Sequence, residues 1–368
     1  MASKKIKQSV TNYSILLMVV LLSLLLLLSQ FAGFFDPEPF WWIAFLGLGY
    51  PVILTLNVFS LFLLVWKKKI LFLIPLIAIV VGFKILLSFF SFKTSEGSIT
   101  HRKLEHDIRI MTYNVHSFKR YGATNEPWVR TKMLTILNEQ QPDILCLQEF
   151  YSRKRGRYAL TDSLKRILRT PHFLFERAIK NDYEAVGLSV FSKYPIVKHG
   201  YIKFEDENVN GCLWVDIRYE GKIIRIYNLH IASIGFKKED YAYLNRFERK
   251  ETTASSWRIF GRLKRAFQKR SRQVHVVKDF MRTCKFPFVV AGDFNDTPNS
   301  FAVRHIAQKL TNAFVKKGTG YGATYNGILF DLQIDYIFTS ADFWIRNYAI
   351  VRQKLSDHYA VCSDVSLQ

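Results

Sequence analysis

The hydrophobic pattern divides the chain in two. From Ser14 to Phe35 no charge interrupts a run of mostly Leu, Val, Ile and Phe. Comparable runs extend from Phe40 to Trp66 and from Ile70 to Phe92, the last broken by Lys84. Each exceeds the roughly 20 residues a helix needs to cross a bilayer. Trp41, Trp42 and Trp66 stand near the ends of the second, where interfacial aromatics belong. The pattern predicts three transmembrane helices, at about 14–35, 40–66 and 70–92, within a membrane region of residues 1–92. The first run could instead be a cleavable signal peptide, but no small-x-small cleavage site is clear and two more apolar runs follow at once.

Residues 93–107 are polar and read as a linker, after which the period changes. Short apolar runs predict strands at Ile108–Asn114, Ile144–Gln148, Leu188–Phe191, Leu213–Tyr219, Ile223–Leu229, Phe288–Ala291, Ile334–Phe338 and Tyr359–Val365. Between them, a 3.6-residue period predicts helices at Trp128–Glu139, Thr161–Leu168, Arg258–Met281 and Ser300–Leu310. Many strands with a few helices interspersed predict a mixed α/β domain over 108–368, built on sheets.

Composition sharpens the division. Residues 1–100 hold 8 of the 52 Lys+Arg and 3 of the 30 Asp+Glu, leaving 44 and 27 beyond, so the domain carries about +17 of the net +22. With 49% hydrophobic residues and four cysteines in 368, the chain is neither disordered nor a disulfide scaffold. Cys146, Cys212 and Cys362 sit in strand-like apolar contexts and Cys284 stands apart; no Cys/His spacing suggests zinc. Lys4, Lys5 and Lys7 precede the first apolar run and Lys67–Lys69 follow the second, whereas Asp36–Pro39 has no basic residue. The positive-inside rule then puts the N-terminus in the cytoplasm and, after three spans, the large domain outside it. Lys237–Lys285 holds 15 basic residues against 5 acidic, interleaved with Tyr241, Tyr243, Phe247, Trp257, Phe260 and Phe267. It could be a nucleic-acid groove or a surface drawn to anionic lipid; it could equally be a solvated helix whose apolar stripe packs on a sheet.

The polar side chains that carry chemistry share one context, the ends of predicted strands. Asn114, Glu149 and His230 each close an apolar run, Asp293 and Asn295 close Val289–Asn295, and Asp335 lies in Ile334–Phe338. Ser356-Asp357-His358 precedes the last strand. If these ends converge, carboxylates, amides and imidazoles gather at one rim, a donor set suited to Mg²⁺ or Mn²⁺.

This ordered set, with Gly187–Pro195 between, resembles the endonuclease/exonuclease/phosphatase superfamily from about Ile108 to Val365; Gly-Asp-Phe-Asn followed by Ser-Asp-His is its most specific part. The resemblance implies a four-layer α/β/β/α sandwich of two mainly antiparallel sheets. It implies Glu149 as the principal metal carboxylate, with Asn114 and Asp357 as companions. Asp293 would orient or deprotonate the attacking water and Asn295 would hold a phosphate oxygen. His358, its ring fixed by Asp335, would act as base or stabilise developing charge, and His230 would protonate the leaving oxygen. Asn228-Leu229-His230 departs from the commoner Thr-His-Leu, which leaves the role of Asn228 open.

These roles predict a membrane-anchored phosphodiester hydrolase using Mg²⁺ or Mn²⁺, nuclease-like by its basic charge. A lipid phosphodiesterase or phosphatase is the alternative, because the spans hold the domain at a bilayer. A catalytically idle, tethered binding module is a third reading, opposed by intact candidates at every motif. The expected partners are the bilayer and a nucleic-acid or phospholipid substrate; no protein partner is predicted.

Overall fold

The short apolar runs of the second part of the chain pair into two six-stranded sheets. The computed structural model describes residues 2–93, 103–119, 127–205, 209–237, 239–240, 243, 253–327 and 331–368. Most of the expected linker (94–102) and part of the basic segment (238, 241–242, 244–252) lie outside these residues. The first sheet has the order β13 (Phe343–Val351), β14 (Ala360–Leu367), β2 (Ile108–Asn114), β3 (Ile144–Arg153), β5 (Glu184–Ser192), β4 (His172–Lys180). The second has the order β10 (Thr311–Asn312), β12 (Asp335–Thr339), β9 (Phe288–Asp293), β8 (Lys222–His230), β7 (Gly211–Tyr219), β6 (Ile196–Lys203).

Each sheet is antiparallel except for one central pair, β2 with β3 and β8 with β9. A parallel pair needs a crossover, and helices supply it: α6 (Pro127–Gln140) in the first sheet and α8 (Thr253–Arg282) in the second. Parallel neighbours end on the same edge. Asn114 therefore lies opposite Gln148, and His230 opposite Asp293.

Alternation of side chains divides the core into layers. Ile110, Cys146 and Val190 face Val215, Ile226 and Ala291 between the sheets. Met111, Leu145 and Leu147 pack outward on α6 and on α7 (Leu160–Leu168). Tyr227, Leu229 and Val290 pack outward on α8 and on α9 (Phe301–Ala307). This is the expected four-layer sandwich. Strands β4, β6 and β13 escape the hydrophobic pattern because they are sheet edges, half-buried and without a continuous apolar run. All four cysteines are free; three are buried, and Cys284 is partly exposed.

The helical region departs from three unbroken spans. Helix α1 (Ala2–Gln30) continues into a 3₁₀ turn at Ala32–Phe34, and Tyr13–Phe34 is long and apolar enough to cross a membrane. The second run is split into α2 (Pro37–Leu48) and α3 (Tyr50–Trp66), bent by 48°. The third gives α4 (Leu73–Val81) and α5 (Phe83–Phe89), bent by 60°, and closes as a strand, β1 (Phe90–Ser91), paired with β11 (Gly320–Tyr321). These pairs count as spans only if each bent pair is taken as one. The breaks have local causes. Pro51 has no N–H to continue the ladder from α2. At Gly82 the backbone N–H turns to Val80 O, and Gln30 Nε2 donates to the released Ala78 carbonyl at 2.9 Å.

The helical region docks on the sandwich through α8. Phe45 stacks on Phe260 at 4.5 Å and meets Phe267 edge-on at 5.2 Å. Ser271 Oγ donates to Asp36 Oδ1 at 2.5 Å, with His275 Nε2 2.8 Å from Asp36 Oδ2. Asn299 Nδ2 donates to Ser29 O at 2.6 Å.

Candidate active site

The ends of the two parallel pairs face each other across the sandwich. Glu149 leaves the β3 ladder at a bulge between Leu147 and Phe150, with φ +50°, which turns its carboxylate to the rim. Asn114 Nδ2 donates to Asp293 Oδ2 at 3.0 Å and lies 3.4 Å from Glu149 Oε1, tying β2 and β3 to β9. Gly292 lets β9 approach β8 closely: at φ +152° a Cβ would lie 2.0 Å from Leu229 O. Asn295, at φ +49°, donates its backbone N–H to Asp293 Oδ1 at 2.8 Å. Its Nδ2 donates to Asp293 Oδ2 at 3.2 Å and to Ile231 O at 3.0 Å, so both amide hydrogens are already given.

Two imidazoles flank the buried Asp293. His230 Nε2 lies 3.6 Å, and His358 Nε2 3.7 Å, from Asp293 Oδ2. His358 Nδ1 donates to Asp335, 3.0 Å from Oδ2. Asp357 accepts from Ser356 Oγ at 3.1 Å and lies 4.0 Å from His116 Nδ1, which is 3.3 Å from Glu149 Oε2. All eight residues named from the sequence thus join one cluster drawn from both sheets.

The cluster polarises its members. Burial pushes Glu149 up, but the His116 imidazole and the nearby His230 and His358 outweigh it and bring the carboxyl down to about 2. Burial alone would push His358 down; Asp335, Asp293 and Asp357 raise it well above the ordinary imidazole range. Asp293 is pushed up by burial, which its histidine neighbours only partly offset. The surrounding carboxylates thus favour the protonated form of His358.

Two features were not legible as site components. His116, two residues past Asn114, reaches the rim through a turn whose residues His116, Ser117 and Phe118 all have positive φ (+41°, +56°, +58°). Asn228 proves to be a tie between the sheets: Nδ2 donates to Leu147 O at 3.0 Å and Ser189 O at 2.9 Å, and Oδ1 accepts from Gln148 Nε2 at 2.6 Å. It holds β8, two residues before His230, against the strand that carries Glu149. From outside, the fully buried Arg270 of α8 binds Asp296 Oδ2 at 2.9 Å and donates to Ala232 O at 3.2 Å, bracing the loops after Asp293 and His230.

Residues 111–358 match the Endonuclease/Exonuclease/phosphatase family. The chain belongs to that family. Residues 12–89 match a second family, described as a domain of unknown function. No curated protein matches the chain. Among solved structures, it is similar to an endonuclease/exonuclease/phosphatase from Beutenbergia cavernae DSM 12333 (18% identity, 72% of each chain, TM-score 0.51). It is also similar to the human Nocturnin catalytic domain with bound sulfate anion (16% identity, 73% of this chain and 97% of that one, TM-score 0.50). A third is D. rerio TDP2 complexed with single strand DNA product (14% identity, 71% of this chain and all of that one, TM-score 0.50). Likenesses below a quarter identity establish the fold and no more.

Enzymes of the endonuclease/exonuclease/phosphatase family are generally phosphate-ester hydrolases that use divalent metals, and this rim fits such an ion. Glu149, Asp357 and the Asn114 amide are hard oxygen donors, and Glu149 is ionised at neutral pH. Asp293, Asp335 and His358 also lie close enough together to hold a cation. Their donor atoms, however, are largely committed to one another and to Asn114 and Asn295. Glu149, whose side chain is 29% exposed, is the more accessible carboxylate of the rim.

Proposed function

We propose that this protein is a membrane-anchored, divalent-metal-dependent hydrolase of phosphodiester bonds. The observation that carries the reading is the buried Asp293 carboxylate flanked by two imidazoles, beside an ionised Glu149. Glu149, Asn114 and Asp357 would hold the cation. A bound divalent ion would polarise the phosphoryl oxygens and offset the charge that builds on them. Asp293 orients the attacking water and takes up its proton, and Asn295 keeps that carboxylate aimed. His358, kept protonated by Asp335, stabilises charge on the phosphate as a hydrogen-bond donor rather than serving as the base. His230 supplies the proton to the departing oxygen; its buried Nδ1 has no hydrogen-bond partner among the described residues.

The anchor rests on the apolar Tyr13–Phe34 helix. A three-pass arrangement is supported by where the domain touches the helices. Asp36, Glu38 and the Phe90–Ser91 strand contact it, whereas Lys67–Lys69 lies at the far end of α3. Three passes would leave the domain on the side away from the Lys triplet, which the positive-inside rule assigns to the cytoplasm.

For the substrate, the packing of α8 supports a lipid phosphoester. Phe260 and Phe267 are engaged by Trp41 and Phe45. Arg258, Arg262, Arg270 and Arg272 are engaged by Asp240, Asp296 and Glu38. These contacts commit part of the basic, aromatic helix to the protein itself, while Trp257 stays exposed. Nucleic acid is the second reading, favoured by the domain's net charge of about +17. The test is full-length protein in nanodiscs with Mg²⁺ or Mn²⁺, offered phospholipid vesicles and single-stranded or plasmid DNA, with Asp293→Ala as blank. Headgroup release that vanishes in the variant supports the lipid reading, and DNA cleavage that vanishes moves the substrate to nucleic acid. A folded protein silent on both would be an idle, tethered module.

A further inference from the structure

The crossover helix α8 is longer than its crossing requires. It returns the chain from the rim, where β8 ends at His230, to the opposite end of the sandwich, where β9 begins at Phe288. The nine residues of β8 and six of β9 cover about 30 and 20 Å, whereas the 30 residues of α8 span about 45 Å. Arg270 marks the level of the rim on this helix, because it binds Asp296 and the Ala232 carbonyl, both just past strand ends. Residues 253–269 therefore overhang the rim by roughly 25 Å.

The apolar helices lie on that same side. Helix α2 runs antiparallel to the overhang. Asp36 meets Ser271 and His275, and the Glu38 carbonyl accepts from Gln268 Nε2 at 3.2 Å. Further along, Lys264 Nζ sits 4.4 Å from the centre of the Trp41 ring, and Phe45 stacks on Phe260. So α2 leads away from the sandwich past the active site, and α3 continues it with a bend of 48°. The other docking points approach from the rim side too. Ser29, at the end of α1, accepts from Asn299, in the loop that follows Asp293. Phe89 O, at the end of α5, accepts from Gly322 N at 3.0 Å, close to Thr324, whose hydroxyl accepts from Asp335 N at 3.0 Å. From there the chain descends: Lys93 Nζ donates to Val315 O at 2.8 Å, toward the opposite end, where Thr311 pairs with Thr339. On the overhang, Trp257 meets Phe260 edge-on at 5.8 Å yet is 69% exposed, and Arg265 is exposed as well.

We propose that the active-site rim opens toward the bilayer in which the protein's own helices are set, that the overhang of α8 rests in its headgroup layer, and that the enzyme takes phosphoesters of that same membrane. This deepens the lipid reading above and rests on it. An exposed indole beside basic side chains suits a membrane interface: the ring settles at headgroup level and the cations meet lipid phosphates. Tethering then holds headgroups of the same membrane at high effective concentration before the rim.

The experiment reconstitutes the full-length protein, with Mg²⁺ or Mn²⁺, in vesicles of phosphatidylcholine and phosphatidylglycerol. Headgroup-labelled lipid is placed either in the protein's own vesicles or in separate, protein-free ones, with Asp293→Ala as blank. The expected result is Asp293-dependent headgroup release at least about tenfold faster from the protein's own vesicles. A second readout needs no turnover: a nitroxide on the lipid headgroup should quench the Trp257 emission, taken as the difference between the native protein and Trp257→Phe. Equal release from both sets of vesicles, or Trp257 emission untouched by the nitroxide, overturns the inference and leaves the hydrolase reading standing. Cleavage of DNA or of soluble bis(p-nitrophenyl) phosphate with no lipid release does the same. Silence of the folded protein on every phosphoester removes the functional reading itself, and this inference with it.

Discussion

Replacing Asn228 with Leu tests whether the two sheets are held in register by a buried amide. The side chains are similar in volume, so the change removes hydrogen bonds with little change in space. It strips the Leu147 and Ser189 carbonyls of a donor at 3.0 and 2.9 Å and takes from the Gln148 amide its acceptor at 2.6 Å, leaving it only Thr112 Oγ1 at 3.0 Å. Asn228 is fully buried, so water cannot easily replace what is lost. Each buried group left unsatisfied costs about 1–3 kcal/mol, and the added apolar surface of Leu returns about 1–2 kcal/mol. The net expectation is about 3 kcal/mol of lost stability, or a fall in Tm of about 6–12 °C for a domain of this size. Function should suffer as well, because His230 lies two residues along β8, and a displacement near 1 Å at a reacting group can cost about 100-fold. The assay is intrinsic tryptophan fluorescence of detergent-solubilised full-length protein during a thermal ramp, with phosphodiester turnover measured on the same preparation. A variant that melts within about 2 °C of the native protein would refute the reasoning and return Asn228 to an incidental polar residue.

Three more expectations follow from the same geometry. Glu149, lowered from 4.5 to about 2, contributes stability that is present above pH about 4.5 and lost as pH falls through about 2; Glu149→Gln should flatten that part of the acid-unfolding curve by about 3 kcal/mol, and coincident curves would contradict it. Arg270→Met should cost about 3–5 kcal/mol by leaving Asp296 buried and unpaired. Adding Asp296→Leu should recover most of that loss in a chemical-denaturation series. Gly292→Ala should cost at least about 3 kcal/mol, because its Cβ would meet the Leu229 backbone at 2.0 Å. Gly156→Ala should cost only about 1 kcal/mol, since Gly156 is also left-handed (φ +83°) but faces open space. A thermal scan of both glycine variants distinguishes close approach from backbone strain alone.

Much of the fold and of the rim is legible in the chain itself, wherever local pattern carries the physics. A continuously buried strand must be a continuous apolar run, so β2, β3, β8 and β9 announce themselves. The polar residues that close those runs are the ones that meet at the rim, because parallel neighbours end on one edge. Edge strands β4, β6 and β13 are half-exposed and carry no such signature.

Other features depend on partners distant in sequence. The bend at Gly82 is stabilised by Gln30, 52 positions earlier, whose amide takes over a carbonyl the broken helix releases. The basic stretch 237–285 carries a helix that commits aromatics and arginines to the helical region and to Asp296, contacts its own sequence does not announce. Asn228 reads as a departure from a motif, and its function appears only where the second sheet brings Leu147, Gln148 and Ser189 within its reach. The sequence alone determined which residues carry the chemistry, because strand ends and residue types are local. Which groups neutralise, aim or compete with them was decided by tertiary structure, because hydrogen bonds and charge pairs act over a few ångströms in space, whatever the separation along the chain.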